Sequence, residues 1–212
     1  MAHGKTWTWC ELRPDVVIGF VPNNNVYCLA QDLAPFLSLY RAIEGTGAEL
    51  PFPGTAKSWT NLSNDSSQDI IAKFAIFASL HPEKCGGQSF NVADNHKPSS
   101  WSQRWPVICE YFGLKGVAPP PGGSGPQPGE YVQAHLAQWK ELEQKHGLQT
   151  GRVGNDRSFV HLPYGMMTLM DFDRQLDMSK ELGAWGVDAI ETDTKGAWWT
   201  TFDRFRKAKI MP

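Results

Sequence analysis

Residues 6–25 read Thr-Trp-Thr-Trp-Cys-Glu-Leu-Arg-Pro-Asp-Val-Val-Ile-Gly-Phe-Val-Pro-Asn-Asn-Asn, and no other stretch restricts the fold as tightly. Trp7, Trp9 and Leu12 stand among Thr and Val in a β-strand pattern, and the apolar run Val16, Val17, Ile18 stops at Gly19. Pro22 and the Asn residues after it then make a turn with no charged side chain. A helical pattern follows at once. Strand, uncharged turn and helix in this order describe either an ordinary buried strand with its turn or a ligand-facing loop at the end of a sheet strand.

The rest of the chain is rich in helix. Residues 26–44 carry Leu29, Leu33, Phe36 or Leu37 and Tyr40 at helical spacing, with Pro35 expected to kink the helix or mark its first turn. Residues 49–53 read as a short extended piece and 58–64 as a polar loop around Trp59. Ser66 fits the N-cap of a helix running to about Leu80, where His81 and Pro82 end it. Residues 88–92 read as a strand. Ser99 or Ser100 caps a further helix with Trp101, Trp105, Ile108, Cys109 and Phe112 on one stripe. Residues 118–129 form a Pro/Gly linker between a first part, 1–117, and a helical part, 130–212, that together make one compact unit. A helix is expected over 130–147, and a last one is capped from Thr192, Asp193 or Thr194. Five helices with two or three short strands do not make a full Rossmann sheet.

The opening stretch also resembles the strand that follows the catalytic Tyr in extended short-chain dehydrogenase/reductases, and most closely the progesterone 5β-reductase/iridoid synthase-like group. Three later signatures agree in order and spacing. They are Glu49-Leu-Pro-Phe-Pro-Gly54, Gly87-Gln-Ser-Phe-Asn-Val-Ala-Asp94 and the C-terminal Lys207-Ala-Lys-Ile-Met-Pro212. The resemblance covers nearly all of this chain but only the C-terminal half of the family. It implies an α/β, helix-rich fold: a truncated remnant of the Rossmann-type extended reductase, with residues 7–18 near the centre of the parent sheet. The Gly-rich phosphate loop, catalytic Lys and catalytic Tyr of such reductases belong to the half that has no counterpart here. No Gly-x-Gly-x-x-Gly occurs, so no NAD(P) cofactor is expected.

Charge and motifs narrow the function further. A net charge of −2 gives no electrostatic reason to bind nucleic acid or an anionic membrane. No apolar run reaches the ~20 residues needed to span a bilayer, and the first residues do not form a signal peptide. Cys10, Cys28, Cys85 and Cys109 lack any Cys-x-x-Cys and read as free thiols of a reducing, cytoplasmic compartment. The six His residues show no metal-ligand spacing, and there is no P-loop or Gly-x-Ser-x-Gly, so no metal is expected.

What remains is pocket material. Met166, Met167, Met170 and Phe172 crowd one segment with His161 and Tyr164, a composition that suits an adaptable apolar cavity as well as plain core. In the resembled family the matching segment lines the substrate pocket and faces the loop after the central strand. That loop is residues 19–25 here, with Phe20, Asn23 and Asn24 in it and Tyr27 and Gln31 on the next helix. The resemblance thus implies a substrate site with His161, Tyr164 and Asn24 as candidate catalytic hydrogen-bond donors. Two function classes follow. One is a cofactor-independent enzyme that holds an apolar enone, terpenoid- or polyketide-like substrate and promotes a non-redox cyclisation or isomerisation, by near-attack positioning and carbonyl polarisation. The other is the substrate-binding portion of an NADPH-dependent enone reductase, or a non-catalytic binding domain. A chain that begins with Met reads as a finished protein, which favours the first. The strand at residues 7–12 lacks its parent neighbours, and each buried, unpaired backbone group would cost on the order of 1–3 kcal/mol. Either a homodimer or a local fold-back of the N-terminus or linker is expected to cover it.

Overall fold

The opening stretch folds as two short strands in line, β1 (Cys10–Pro14) and β2 (Val16–Ile18), in a computed structural model that describes residues 4, 7–154 and 162–212. After the turn comes α1 (Leu29–Glu44), then β3 (Glu49–Pro51), α2 (Ala56–Thr60), β4 (Leu62–Ser63), β5 (Asp65–Ser67), α3 (Gln68–Leu80) and α4 (Pro82–Cys85). The middle of the chain adds β6 (Gln88–Val92), β7 (Ser99–Ser100), α5 (Trp101–Tyr111) and β8 (Lys115–Val117). The C-terminal part holds α6 (Pro128–Ala134), α7 (Leu136–His146), a helical turn α8 (Leu162–Tyr164), α9 (Ser179–Trp185) and α10 (Thr194–Lys207).

The strands form four two-stranded ladders rather than one broad sheet. β1 pairs with β6, β2 with β5 and β3 with β8, all parallel, while β4 and β7 pair antiparallel. Parallel pairing joined by helices is the connectivity of an α/β fold, and it is what the alternation of strand and helix patterns predicts.

Most of the apolar surface closes into one core. Leu33, Phe36, Leu37, Trp105, Ile108, Trp139, Trp198, Phe202 and Phe205 lie in it, so α1, α5, α7 and α10 share a single interior across the 118–129 segment. That Pro/Gly segment is docked: the Gly125 N–H donates to Phe52 O over 2.8 Å, and a Cβ on Gly125 would collide with Pro51. A second, smaller cluster holds Ile70, Phe74, Phe90, Val92 and Trp185 between β6, α3 and α9. Beneath α5 and α10 runs a buried polar network. Arg104 Nη1 donates to Asp65 Oδ1 over 2.8 Å, and Trp198 Nε1 donates to Asp65 Oδ2 over 2.9 Å. A buried ion pair of this kind is tolerated because its remaining lone pairs and protons are also used.

Several elements differ from their sequence patterns. β1 is not central: among the described residues it pairs only with β6, and Trp7 and Trp9 are 58% and 51% exposed. Only the Ile18 end of the stretch is fully buried. The polar loop around Trp59 is instead the helix α2, capped by Thr55, whose hydroxyl accepts the Ser58 N–H. The cap of α3 is Ser67, one residue later than Ser66, because the Ser66 hydroxyl is spent on Val92 O. α1 begins at Leu29 rather than at residue 26, since the turn around Asn25 uses that chain differently. The helix expected over 130–147 breaks at His135, whose φ of −120° leaves the helical region and separates α6 from α7.

Candidate substrate-binding site

The 19–25 loop is built from its own backbone outward. Gly19 ends β2 where a side chain does not fit: a Cβ there would lie 2.5 Å from Gln68 Oε1. That same Oε1 accepts the Phe20 N–H at 2.7 Å, and the Phe20 ring meets the edge of Phe205 with centroids 5.1 Å apart. Asn25 closes an Asx-type turn: its Oδ1 accepts the Tyr27 N–H at 3.0 Å and its carbonyl accepts the Cys28 N–H at 3.1 Å. Gln31, buried in the first turn of α1, accepts the Asn25 N–H at 3.2 Å. Its amide therefore fixes the loop. Arg152 reaches across from the far side, to the carbonyl of Pro22 and, at 3.5 Å, to Asn24 Oδ1. Asn24 is half-buried, Asn23 exposed, and the Tyr27 side chain points to water at 82% exposure.

The Met-rich segment lies along α1 and α2. After α8 the chain runs through a π-helical turn over Gly165–Leu169, marked by the Met170 N–H bonding Gly165 O over five residues at 2.9 Å. Such turns recur at functional sites. Met166 and Met167 point into the main core, Met167 with no exposed surface. The Met167 carbonyl accepts the Ser58 hydroxyl and sits where a Cβ on Gly54 would be, so the Glu49-to-Gly54 signature has its final glycine for close approach. Tyr164, Met170 and Phe172 stay 44%, 37% and 53% exposed. Through α8 the segment packs on α1 and through the π-helical turn on α2, while Phe20, Met166 and Met167 all border the main core. Tyr164, Leu169, Met170 and Phe172 are the large apolar side chains of the segment left exposed. His161 lies outside the described residues. Met167 has no exposed surface, so Met167→Trp would overpack the core.

One group here escaped the sequence reading. Asp32, in the first turn of α1, is 1% exposed and neither carboxylate oxygen has a hydrogen-bond partner. Burial pushes its carboxyl up to about 8. The neighbouring Cys28 thiol is likewise pushed up to about 11 by burial, and it donates to Gly19 O at 3.2 Å. An Asp in a first turn reads as a favourable dipole partner from sequence, and its burial has no sequence signal. At neutral pH Asp32 is largely a neutral acid, a proton donor rather than an acceptor.

A nicotinamide cofactor needs a glycine turn open to a phosphate between a strand and a helix. The turn after β2 does not fit that need, because the space above Gly19 is filled by the Gln68 side chain. Gly45 and Gly47, the other close glycine pair, follow α1 instead of preceding a helix. Neither of these two turns offers a cradle for the pyrophosphate.

Parallel ladders wound with helices and signature glycines at close backbone approaches define a Rossmann-like α/β domain. The chain belongs to the PRISE-like Rossmann-fold domain family, which it matches over residues 1–212. It is 34% identical over 223 residues to the short chain dehydrogenase sirR of Leptosphaeria maculans, covering 100% of this chain and 54% of that protein. It is 28% identical over 220 residues to an (S)-8-oxocitronellyl enol synthase of Nepeta cataria, covering 97% of this chain and 50% of that one. The 3-oxo-Delta(4,5)-steroid 5-beta-reductase of Arabidopsis thaliana is 26% identical over 213 residues, 98% of this chain and 50% of the reductase. The chain thus spans about half the length of these relatives. No helix among the described residues is long and apolar enough to cross a membrane.

Proposed function

We propose that this chain is the substrate-holding half of a short-chain dehydrogenase-like enzyme acting on apolar carbonyl compounds of terpenoid or polyketide type. The observation that carries it is the family match along the whole chain, combined with a site whose open side chains are Tyr164, Met170 and Phe172. An apolar, adaptable wall with a phenol at its rim suits a small enone whose carbonyl needs one donor.

For the chain by itself we favour non-redox chemistry, a cyclisation or isomerisation that depends on positioning and hydrogen bonding. The sequence supports this, because no Gly-x-Gly-x-x-Gly phosphate loop occurs in it. In this reading the wall holds the substrate in a reactive conformer and Tyr164 or Asn24 donates to its oxygen. The protonated Asp32 sits beneath the same helix start. A second reading keeps hydride transfer and assigns the nucleotide to another half-sized unit. It is favoured by relatives of about twice this length.

Calorimetric titration of the chain with a 3-oxo-Δ4 steroid, and separately with NADPH, tests both. The proposal expects saturable steroid binding that Tyr164→Ala and Phe172→Ala weaken about tenfold. It expects no NADPH binding tighter than ~1 mM, an affinity of only ~4 kcal/mol. Steroid binding unaltered in both variants would place the site elsewhere. NADPH binding well below ~1 mM would reject the non-redox reading.

A further inference from the structure

We infer that Arg152 is a positioning residue of the 19–25 loop, fixing the Asn24 side chain as a hydrogen-bond donor to a carbonyl oxygen. This rests on the reading that the loop faces the substrate, and deepens it by naming the polar group of the ligand that the loop takes. The sequence gives the loop three consecutive Asn, and the structure sets them apart. Asn25 is spent on the turn, accepting the Tyr27 N–H at its side chain and the Cys28 N–H at its carbonyl. Asn23 is exposed. Asn24 is half-buried, and Arg152 Nη1 donates to its Oδ1 over 3.5 Å, while Nη2 donates to the carbonyl of Pro22 in the same loop.

A guanidinium carries N–H donors and no acceptor. The Asn24 amide can meet it only through oxygen, which settles which end of the amide faces Arg152. Nδ2 is then turned away from the guanidinium, and among the described residues no acceptor is bonded to it. A donor held in this way suits a ligand oxygen with free lone pairs, and fixing it beforehand spares the cost of ordering it on binding. Arg152 is itself fixed from behind. Its Nε donates to Gln149 Oε1 over 2.9 Å, and its Nη2 donates to the same oxygen. Gln149 is tied to the end of α10, its N–H donating to Lys209 O over 2.7 Å and its Nε2 to Ala208 O over 2.8 Å. Lys209 holds a left-handed φ of 59° at this junction, a conformation that a residue other than glycine keeps only where its surroundings fix it. A bonded path thus runs from the C-terminal signature through Gln149 and Arg152 to Asn24, and a planar, forked head held on one edge orients whatever it meets on the other.

Two variants separate orientation from packing. Arg152→Ala frees the Asn24 amide but leaves its donor in place, and Asn24→Asp keeps an oxygen for Arg152 but removes the donor. Each is titrated by calorimetry with a 3-oxo-Δ4 steroid and with the matching steroid that lacks the 3-oxo oxygen. The wild-type chain should bind the ketone about tenfold more tightly than its deoxy counterpart, as one hydrogen bond allows. Both variants should erase that preference and leave the affinity for the deoxy steroid unchanged, whereas a general loss of structure would weaken both ligands together. A further readout uses no ligand. The proton–nitrogen resonance of the Asn24 side-chain amide, identified by its absence from Asn24→Asp, should shift in Arg152→Ala. Thermal melts check folding, and Gln149→Ala, which loosens the same guanidinium, replaces Arg152→Ala if that variant does not fold. An amide resonance indifferent to the loss of Arg152 would overturn the clamp. A ketone preference that survives either variant would overturn the donor role of Asn24. A wild-type chain that binds neither steroid would overturn the substrate reading and the donor role with it, and the amide resonance alone would then decide whether Arg152 holds the loop.

Discussion

The α1–α5–α10 side of the molecule and its β1–β6 side are built to different degrees of closure. On the first, Phe36, Trp105, Trp198, Phe202 and Phe205 have no exposed surface and the buried Arg104 is tied to Asp65, Ser63 and Ser99. On the second, one face of a two-stranded ladder packs Phe90 against Phe74 of α3, while Trp7, Trp9, Ile76 and Leu80 remain exposed. The difference teaches where each kind of element finds its cover. A helix brings its own backbone bonds and needs only an apolar partner face. A strand leaves unpaired backbone groups along any edge without a neighbour, and among the described residues β1 is paired on one side.

Substitutions sharpen that contrast. Trp198→Ala should be the most damaging, costing about 3–5 kcal/mol in chemical denaturation, because it opens a cavity and removes the donor to Asp65. Arg104→Met should cost about 3 kcal/mol, leaving Asp65 buried with only the Trp198 donor. If either change costs less than about 1 kcal/mol, this side is not the closed core described. Trp9→Lys, by contrast, should change the stability of the dilute chain by no more than about 0.5 kcal/mol, as exposed positions do. A loss as large as that at Trp198 would erase the distinction between the two sides.

Acid and base separate the sides less and sharpen the picture of the site. Burial raises Asp32 to about 8 on one side, and Asp94 to about 7 and Glu181 to about 8 toward the other. Each holds its proton in the folded chain at pH values where the unfolded chain, with carboxyls near ~4, has released it. The native state therefore binds more protons across that window, and stability falls as pH rises from about 4 toward 8. Asp32→Asn should flatten this slope and make the variant on the order of 1–3 kcal/mol more stable than the parent chain at pH 8. Parallel pH–stability curves for the two proteins would mean that Asp32 is ionised in the fold.

The parts legible in the sequence are those set by local pattern. The strand at Gln88–Val92 and the end of α3 at His81 follow from periodicity and capping chemistry alone, and so does a cap for α10 within residues 192–194, which proves to be Asp193. The family resemblance, carried by Glu49 to Gly54 and Gly87 to Asp94, anticipated the α/β class. What was not legible depends on long-range competition. Ser66 lost its role as a cap because Val92 O, far along the chain, takes its hydroxyl. Gln31 looked like a pocket residue and proves to hold Asn25, and Met167 is core because Ser58 and Gly54 seat its backbone. The burial of Asp32 leaves no mark on its neighbours in sequence. The exposure of β1 depends on what stands beside it, which no residue of the strand encodes.

Hydrogen exchange of the dilute chain measures the contrast between the sides most directly. Amides of α1 and α5 should exchange only through global opening. Those of β1, paired on one side among the described residues, should exchange orders of magnitude faster. Equal protection of β1 and α1 in the dilute chain would contradict the account, because the edge would then be closed within a single copy.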